Sequence, residues 1–276
     1  MKKNTRGVIV GVVSILVSAI FFLVPFAFIF VTASKDRAEA NLLEFSWPKN
    51  FVLFQNLGEA FAARDYLMII AFINSVILTV ASVTLLVFLS AMVAYVWQRR
   101  SGRLSGLING LVLTGLIVPP AIVPTIWVLQ GVGLFKTMPG LILIEVAYGL
   151  PFCILLFRAF IAGVPRELDE AALVDGANPV QIFFRVVFPV LRSVMVTVII
   201  LQTVFVYNDF QNPLYFLPGT QNATIQLTLL SFQSQFTTQY NLLFATILLV
   251  TIPPLIMFIF FNRKIVEGMA AGSVKG

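Results

Sequence analysis

The sequence predicts an all-α membrane protein of six spanning helices, and three observations predict it. Of 276 residues, 59% are hydrophobic and 11% charged, with a mean hydropathy of +0.97, the profile of a chain that partitions into lipid. Six stretches, 7–31, one within 66–97, 104–133, 139–157, 186–207 and 241–261, are predominantly apolar, and a spanning helix needs roughly 20 such residues. Lys and Arg fall in short clusters beside these stretches rather than on a broad soluble face. The formal charge of +6 therefore speaks for membrane orientation, with lipid as a partner and no nucleic acid expected.

Composition also excludes chemistry. With no His and a single Cys, Cys153, inside an apolar run, neither a disulfide framework nor a Cys/His metal site is expected. No set of catalytic groups converges near an interface, so an enzyme is not expected.

The first apolar run has 25 residues. A secretory signal carries a core of about 7–15, so a retained anchor is favoured over cleavage before Ser34. If the N-terminus, with Lys2 and Lys3, is cytoplasmic, the outer segments hold Lys35, Arg37, Lys49, Arg64 and Lys136, and the other 13 of 18 basic residues lie inside. That asymmetry places both termini in the cytoplasm. Two outer segments are long, 32–66 and 208–240. The second is rich in amides and hydroxyls, groups suited to neutral polyhydroxyl ligands, although composition alone favours a solvated loop.

Within the membrane, Pro119, Pro120 and Pro124 interrupt the third span, Pro151 the fourth, and Pro253 and Pro254 the sixth, so kinks are expected where freed carbonyls find protein partners or a cavity. Glu145 is the ionisable residue well inside a span. It faces the bundle interior, pairs across a subunit interface, or lies near the outer surface. Asn208 and Asp209 close the fifth span on the outside.

One polar stretch interrupts this pattern on the inner side, RELDEAALVDGANPVQIFFRVVFP at 166–189. Pro165 suits a first helical position, and Glu167, Asp169 and Glu170 suit the positive end of a helix dipole. Gly176 can close that helix in a left-handed cap. Asn178, Pro179 and Gln181 then predict a second helix opened by a capping box, running to Pro189. The first helix is too short to be stable alone. Leu168, Ala171, Ala172 and Asp175 share a face narrow enough to enter a groove on another protein, though a capped inter-helix loop explains the same signals.

EAALVDGANPVQIFFRVVFPV resembles the EAA motif of the membrane-spanning subunits of binding-protein-dependent ABC importers. Glu170, Ala171, Ala172 and Gly176 take its leading positions, and Val186 and Pro189 close it. The flanking GLFKTMPGLILIEVAYGLPFCILLFRAFIAGVPRELDEAA, YNDFQNPLYFL and the ending GMAAGSVKG resemble the carbohydrate, maltose-type subclass. The resemblance covers most of 67–276.

It implies the type I permease fold of ABC importers, with an N-terminal helix and outer segment at 1–66, a permease core at 67–262 with its coupling loop at 164–189, and a cytoplasmic tail at 263–276. It implies a cytoplasmic coupling helix in which Glu167, Glu170, Ala171, Ala172, Asp175, Gly176 and Pro189 meet an ATPase subunit, with Asn208, Asp209 and Glu145 as substrate-path candidates. The implied partners are a second homologous permease, two ATP-binding cassette subunits and an extracytoplasmic sugar-binding protein. ATP and Mg would be held by the ATPase subunits, since no Gly-x-x-x-x-Gly-Lys-Ser/Thr loop occurs here. The alternative is a stand-alone ion-coupled carrier, which usually needs intramembrane acid, base or histidine networks; this chain offers one candidate acid.

Overall fold

The computed structural model describes residues 5–232 and 239–273. Lys2, Lys3, residues 233–238 of the amide-rich segment and the Val-Lys-Gly terminus lie outside that range. The described residues are helical, without strands. The elements are α1 (Thr5–Ala33), α2 (Arg37–Ala40), α3 (Leu53–Arg99), α4 (Arg103–Ile117), α5 (Ile122–Gly131), α6 (Met138–Ile161), α7 (Glu167–Val174), α8 (Pro179–Gln181), α9 (Phe188–Val190), α10 (Arg192–Tyr207), α11 (Gln211–Phe216) and α12 (Tyr240–Ser273). A π-helical stretch, Ile182–Val187, joins α8 to α9. The chain forms two compact units, residues 1–69 with 227–253, and residues 70–226 with 254–276.

In the first unit, α1 presents its apolar run outward, with none of its most hydrophobic window buried. Its C-terminal end is packed. Ala33 and Ser34, which flank the candidate cleavage point, are fully buried, and Asn56 Nδ2 donates to the carbonyls of Ala33 and Lys35, both at 2.8 Å. Asn241 Nδ2 donates in turn to Asn56 Oδ1 at 2.9 Å, so one amide ties three chain segments. Lys35 is buried, its ammonium donating to Glu44 O at 2.8 Å and Ser46 Oγ at 2.9 Å, which meets the rule that buried polar groups find partners.

A straight 47-residue helix would run about 70 Å, more than twice the hydrocarbon thickness of about 30 Å. α3 is not straight. Ala63 is extended, and Arg64, Asp65 and Tyr66 all adopt left-handed φ of 51° to 59°, a region costly for residues with a Cβ. The uninterrupted helix therefore begins after Tyr66, where the second span is expected.

In the second unit, the core joins α3 (Leu86, Ala91, Ala94, Trp97), α6 (Cys153, Ile154, Phe157, Ile161) and the stretch from Ile182 to Val198. Small residues permit close approach. A Cβ on Gly149 of α6 would stand 2.9 Å from Leu86 Cδ2, and one on Gly115 of α4 would stand 2.7 Å from Pro151 Cγ. α6 opens on Thr137, whose hydroxyl accepts from Gly140 N at 3.1 Å and donates to Leu134 O at 2.8 Å.

The amide-rich segment departs from the expected solvated loop. In this unit Phe216, Leu217, Ala223, Thr224 and Ile225 are buried. Asn74 donates to the carbonyls of Gln221 and Ala223, and Ile225 N donates to Ser75 Oγ at 2.9 Å. Its apolar residues, interspersed among the amides, draw it onto α3.

Among the described residues, four helices are long and apolar enough to cross a membrane: Val10–Ala33, Leu53–Arg99, Met138–Ile161 and Tyr240–Phe261. The pair Pro179–Val190 and Arg192–Tyr207, bent by 76°, makes a fifth if counted as one span. The expected third span is divided at Pro119–Pro120 into α4 and α5, of 15 and 10 residues, because two successive prolines leave backbone N–H groups missing and bar their predecessors from helical φ/ψ. Pro151 stays within α6, and Pro253 and Pro254 within α12.

Candidate functional site

The segment 164–191 is built as its sequence dictates, with two shifts. α7 begins at Glu167 with Arg166 as its cap residue, two positions after Pro165. It closes in a Schellman motif: Gly176 N donates to Leu173 O and Ala177 N to Ala172 O, both at 3.0 Å, with Gly176 at φ +82°. Asn178 and Gln181 form the expected capping box, each side chain accepting from the other's backbone N–H at 2.9 Å, with Pro179 first in the helix.

The second shift concerns the fifth span. Pro189 lies in α9, and the chain bends only at the fully buried Leu191 before α10. Residues 186–190 therefore belong to the arm before the bend. Pro189 offers no N–H to the preceding turn, and the helix widens to a π-helical stretch just ahead of it.

What holds this segment is the end of α3. Arg99 Nε pairs with Asp169 Oδ2 at 2.5 Å, both side chains only 12–13% exposed. The Arg99 guanidinium also donates to Val164 O at 3.2 Å and Pro165 O at 3.4 Å. Beside it, Arg158 lies over the Trp97 ring at 3.6 Å and donates to Gln98 Oε1 at 3.2 Å. One arginine thus closes the linker before α7 and the first turn of α7 itself.

α7 buries no residue completely. Asp169 and Ala172 turn inward, Ala172 packing on the core of this unit together with Ala177. Glu167, Glu170, Ala171, Asp175 and Gly176 face outward, as do Leu168, Leu173 and Val174, the last 87% exposed. The paired alanines are therefore divided: Ala171 belongs to the free face and Ala172 to the seat. Asp169 was expected only to favour the helix dipole, and its pairing with Arg99 was not anticipated from the sequence. The available signal was the three-residue spacing of Asp169 and Ala172, which puts them on one face.

The other candidates gather at the opposite end of α6. Glu145 is 2% exposed and accepts from Asn212 Nδ2 at 3.1 Å, which places it in the interior of its own chain. The Asp209 carboxylate is its neighbour. Asp209 Oδ1 accepts from the backbone N–H of Gln211 at 2.8 Å and Asn212 at 3.3 Å, fixing the start of α11. Asn208 is exposed and its Oδ1 accepts from Gln226 Nε2 at 3.1 Å. Glu145 and Asp209 are brought together, with Asn208 beside them at the surface. Asn212 is the member the sequence reading missed. Among the described residues, no group of three or more His, Cys, Asp or Glu could hold a metal.

Residues 86–270 match the family model described as "Binding-protein-dependent transport system inner membrane component". The chain belongs to this family. It is thus a multi-pass permease subunit of an ABC transport system that works with ATPase and substrate-binding partners. Among its relatives, a probable ABC transporter permease protein, YurM, of Bacillus subtilis (strain 168) is 31% identical over 99% of this chain and 92% of its own length. The melibiose/raffinose/stachyose import permease protein MelC of the same organism is 29% identical over 92% of this chain and 91% of its own. A crystal structure of a bacterial ABC transporter involved in the import of the acidic polysaccharide alginate contains a chain that superposes with a TM-score of 0.80 at 18% identity, covering 95% of this chain and 98% of that one. That likeness establishes the ABC-importer permease fold.

Proposed function

We propose that this permease imports a sugar, a mono- or oligosaccharide, across the cytoplasmic membrane, and that α7 is the helix through which ATPase subunits drive it. The observation that carries the coupling role is the clamp of Arg99 on Asp169 and Val164, which leaves the other face of α7 acidic, partly apolar and unburied. Such a face gains packing only from a second protein. The sugar class rests on the relatives, among them one named for melibiose, raffinose and stachyose.

In this reading six spans form half of a pathway, completed by a second homologous permease, and both termini are cytoplasmic. An N-terminal helix and outer segment, 1–66, precedes the permease core, 67–262, with its coupling loop at 164–189 and a tail at 263–276. Glu167, Glu170, Ala171, Asp175 and Gly176 meet the partner, and Ala172 and Pro189 shape the joint. Two ATPase subunits bind ATP and Mg, and an extracytoplasmic binding protein delivers the sugar. Asn208, Asp209 and Glu145 lie on the substrate path.

The test reconstitutes the chain with its partner subunits and binding protein in proteoliposomes. Sugar-stimulated ATP hydrolysis and uptake are expected to disappear together in Glu170→Lys, with assembly intact. Wild-type coupling in that variant overturns the role of α7, and uptake by this chain alone on an ion gradient overturns the importer.

A further inference from the structure

Beside the clamp lies a cleft the coupling reading does not use. It has a volume of about 250 Å³ and is lined by Met92, Val96, Pro179, Val180, Phe183 and Phe184, with Tyr95, Arg99 and Arg100 completing its wall. The apolar surface is open: Met92 and Phe184 are each 43% exposed and Val180 is 64% exposed. Phe183 forms the floor, 4% exposed, with the Tyr95 ring 5.5 Å and the Phe184 ring 5.0 Å away. The cleft marks the level at which a span meets water, since the chain carries no charge from Leu67 to Gln98 and then two arginines in succession, Arg99 ending α3 and Arg100 following it.

The two arginines are not equivalent. Arg99 is committed to Asp169 and two carbonyls. Arg100 is exposed, and its side chain has no partner among the described residues. The mouth therefore presents the exposed positive charge of Arg100 over an apolar trough. We propose that this cleft seats an anionic phospholipid of the cytoplasmic leaflet, its phosphate on the Arg100 guanidinium and an acyl chain along Met92, Val180 and Phe184.

The chemistry matches on both counts: guanidinium pairs with phosphate oxygens, and basic pockets between spans on the cytoplasmic side accept acidic headgroups. Charge also argues against the ATPase as occupant. The outward face of α7 is acidic, with Glu167, Glu170 and Asp175, whereas the cleft mouth carries Arg100, so one partner surface does not complement both. The inference rests on the cytoplasmic placement of α7. It links lipid to coupling, because the cleft wall includes Arg99, the residue that makes the clamp.

The experiment photolabels the membrane-embedded chain, with and without its partner subunits, in nanodiscs carrying a diazirine-tailed phosphatidylglycerol or phosphatidylcholine, and maps the labelled peptides by mass spectrometry. Phosphatidylglycerol is expected to label 92–100 and 179–184 at least tenfold more than phosphatidylcholine. Arg100→Gln abolishes that preference, Val180→Trp blocks labelling by both lipids, and Arg103→Gln, outside the cleft, changes neither. Equal labelling by the two lipids, a full preference in Arg100→Gln, displacement by soluble glycerol phosphate, or loss of label on adding the ATPase overturns the proposal. No sugar or nucleotide is present, so a failure of sugar-coupled hydrolysis leaves this result standing and is scored separately.

Discussion

Replacing Asp169 by Asn tests the clamp with almost no change in shape. The carboxylate pairs with Arg99 at 2.5 Å, and both side chains are nearly buried. Breaking a fully buried ion pair from one side costs about 3–5 kcal/mol, and a hydrogen bond to a charged group contributes about 1.5–3 kcal/mol. The residual exposure and the surviving bonds from Arg99 to Val164 O and Pro165 O put the loss near the lower figure, about 2 kcal/mol. At 1.4 kcal/mol per factor of ten, α7 should open about 30-fold more often.

Amide hydrogen exchange over 167–176 in the assembled complex reads this directly, because protection of a local unit follows its opening free energy. Arg166→Gln is the control, since among the described residues the Arg166 side chain makes a single exposed bond, of 3.4 Å to Gln98 O; there the change should stay within about twofold. Uptake per ATP hydrolysed should fall with Asp169→Asn. If protection of α7 drops less than about threefold, or equally in both variants, the Arg99 anchor is not what holds the joint.

Gly176→Val should abolish uptake with the chain still inserted: its Cβ meets nothing within 4 Å, so the loss is backbone strain at φ +82°, about 1–2 kcal/mol, and Gly176→Asn should retain most activity. Gly140→Ala drives a Cβ into the Leu134 carbonyl, backbone that cannot swing aside, and should lower the thermal midpoint by an amount equivalent to about 1–3 kcal/mol. Asn212→Leu removes the amide donor from the buried Glu145 carboxyl group; a similar loss of about 1–3 kcal/mol should appear in thermal denaturation, and it should be absent in the Glu145→Leu background, which has no acceptor, if that bond is its cause. Asn56→Ala leaves the carbonyls of Ala33 and Lys35 and the Asn241 amide without their shared partner, and limited proteolysis near Ser34 should accelerate.

Local signals were legible wherever one stretch of chain decides the outcome. Gly176, Asn178, Pro179 and Gln181 settle their caps within a few bonds of themselves, and the structure returns the motif they spell. The division of the third span at Pro119–Pro120 was anticipated as an interruption for the same reason. Less legible was the amide-rich segment, whose buried Phe216, Leu217 and Ile225 count for little in an average over many polar neighbours.

By itself, the sequence determined that the chain lives in lipid, where it carries a short capped acidic helix, and which family it resembles, because hydropathy, proline and capping act over short distances. Only the tertiary structure decided which side of α7 is seat and which is free, that Arg99 rather than an element of α7 holds it, and that Glu145 is paired inside its own chain. Those outcomes depend on residues tens of positions apart meeting at distances of about 3 Å, as Arg99 meets Val164 and Glu145 meets Asn212, and no local pattern encodes which distant partner arrives.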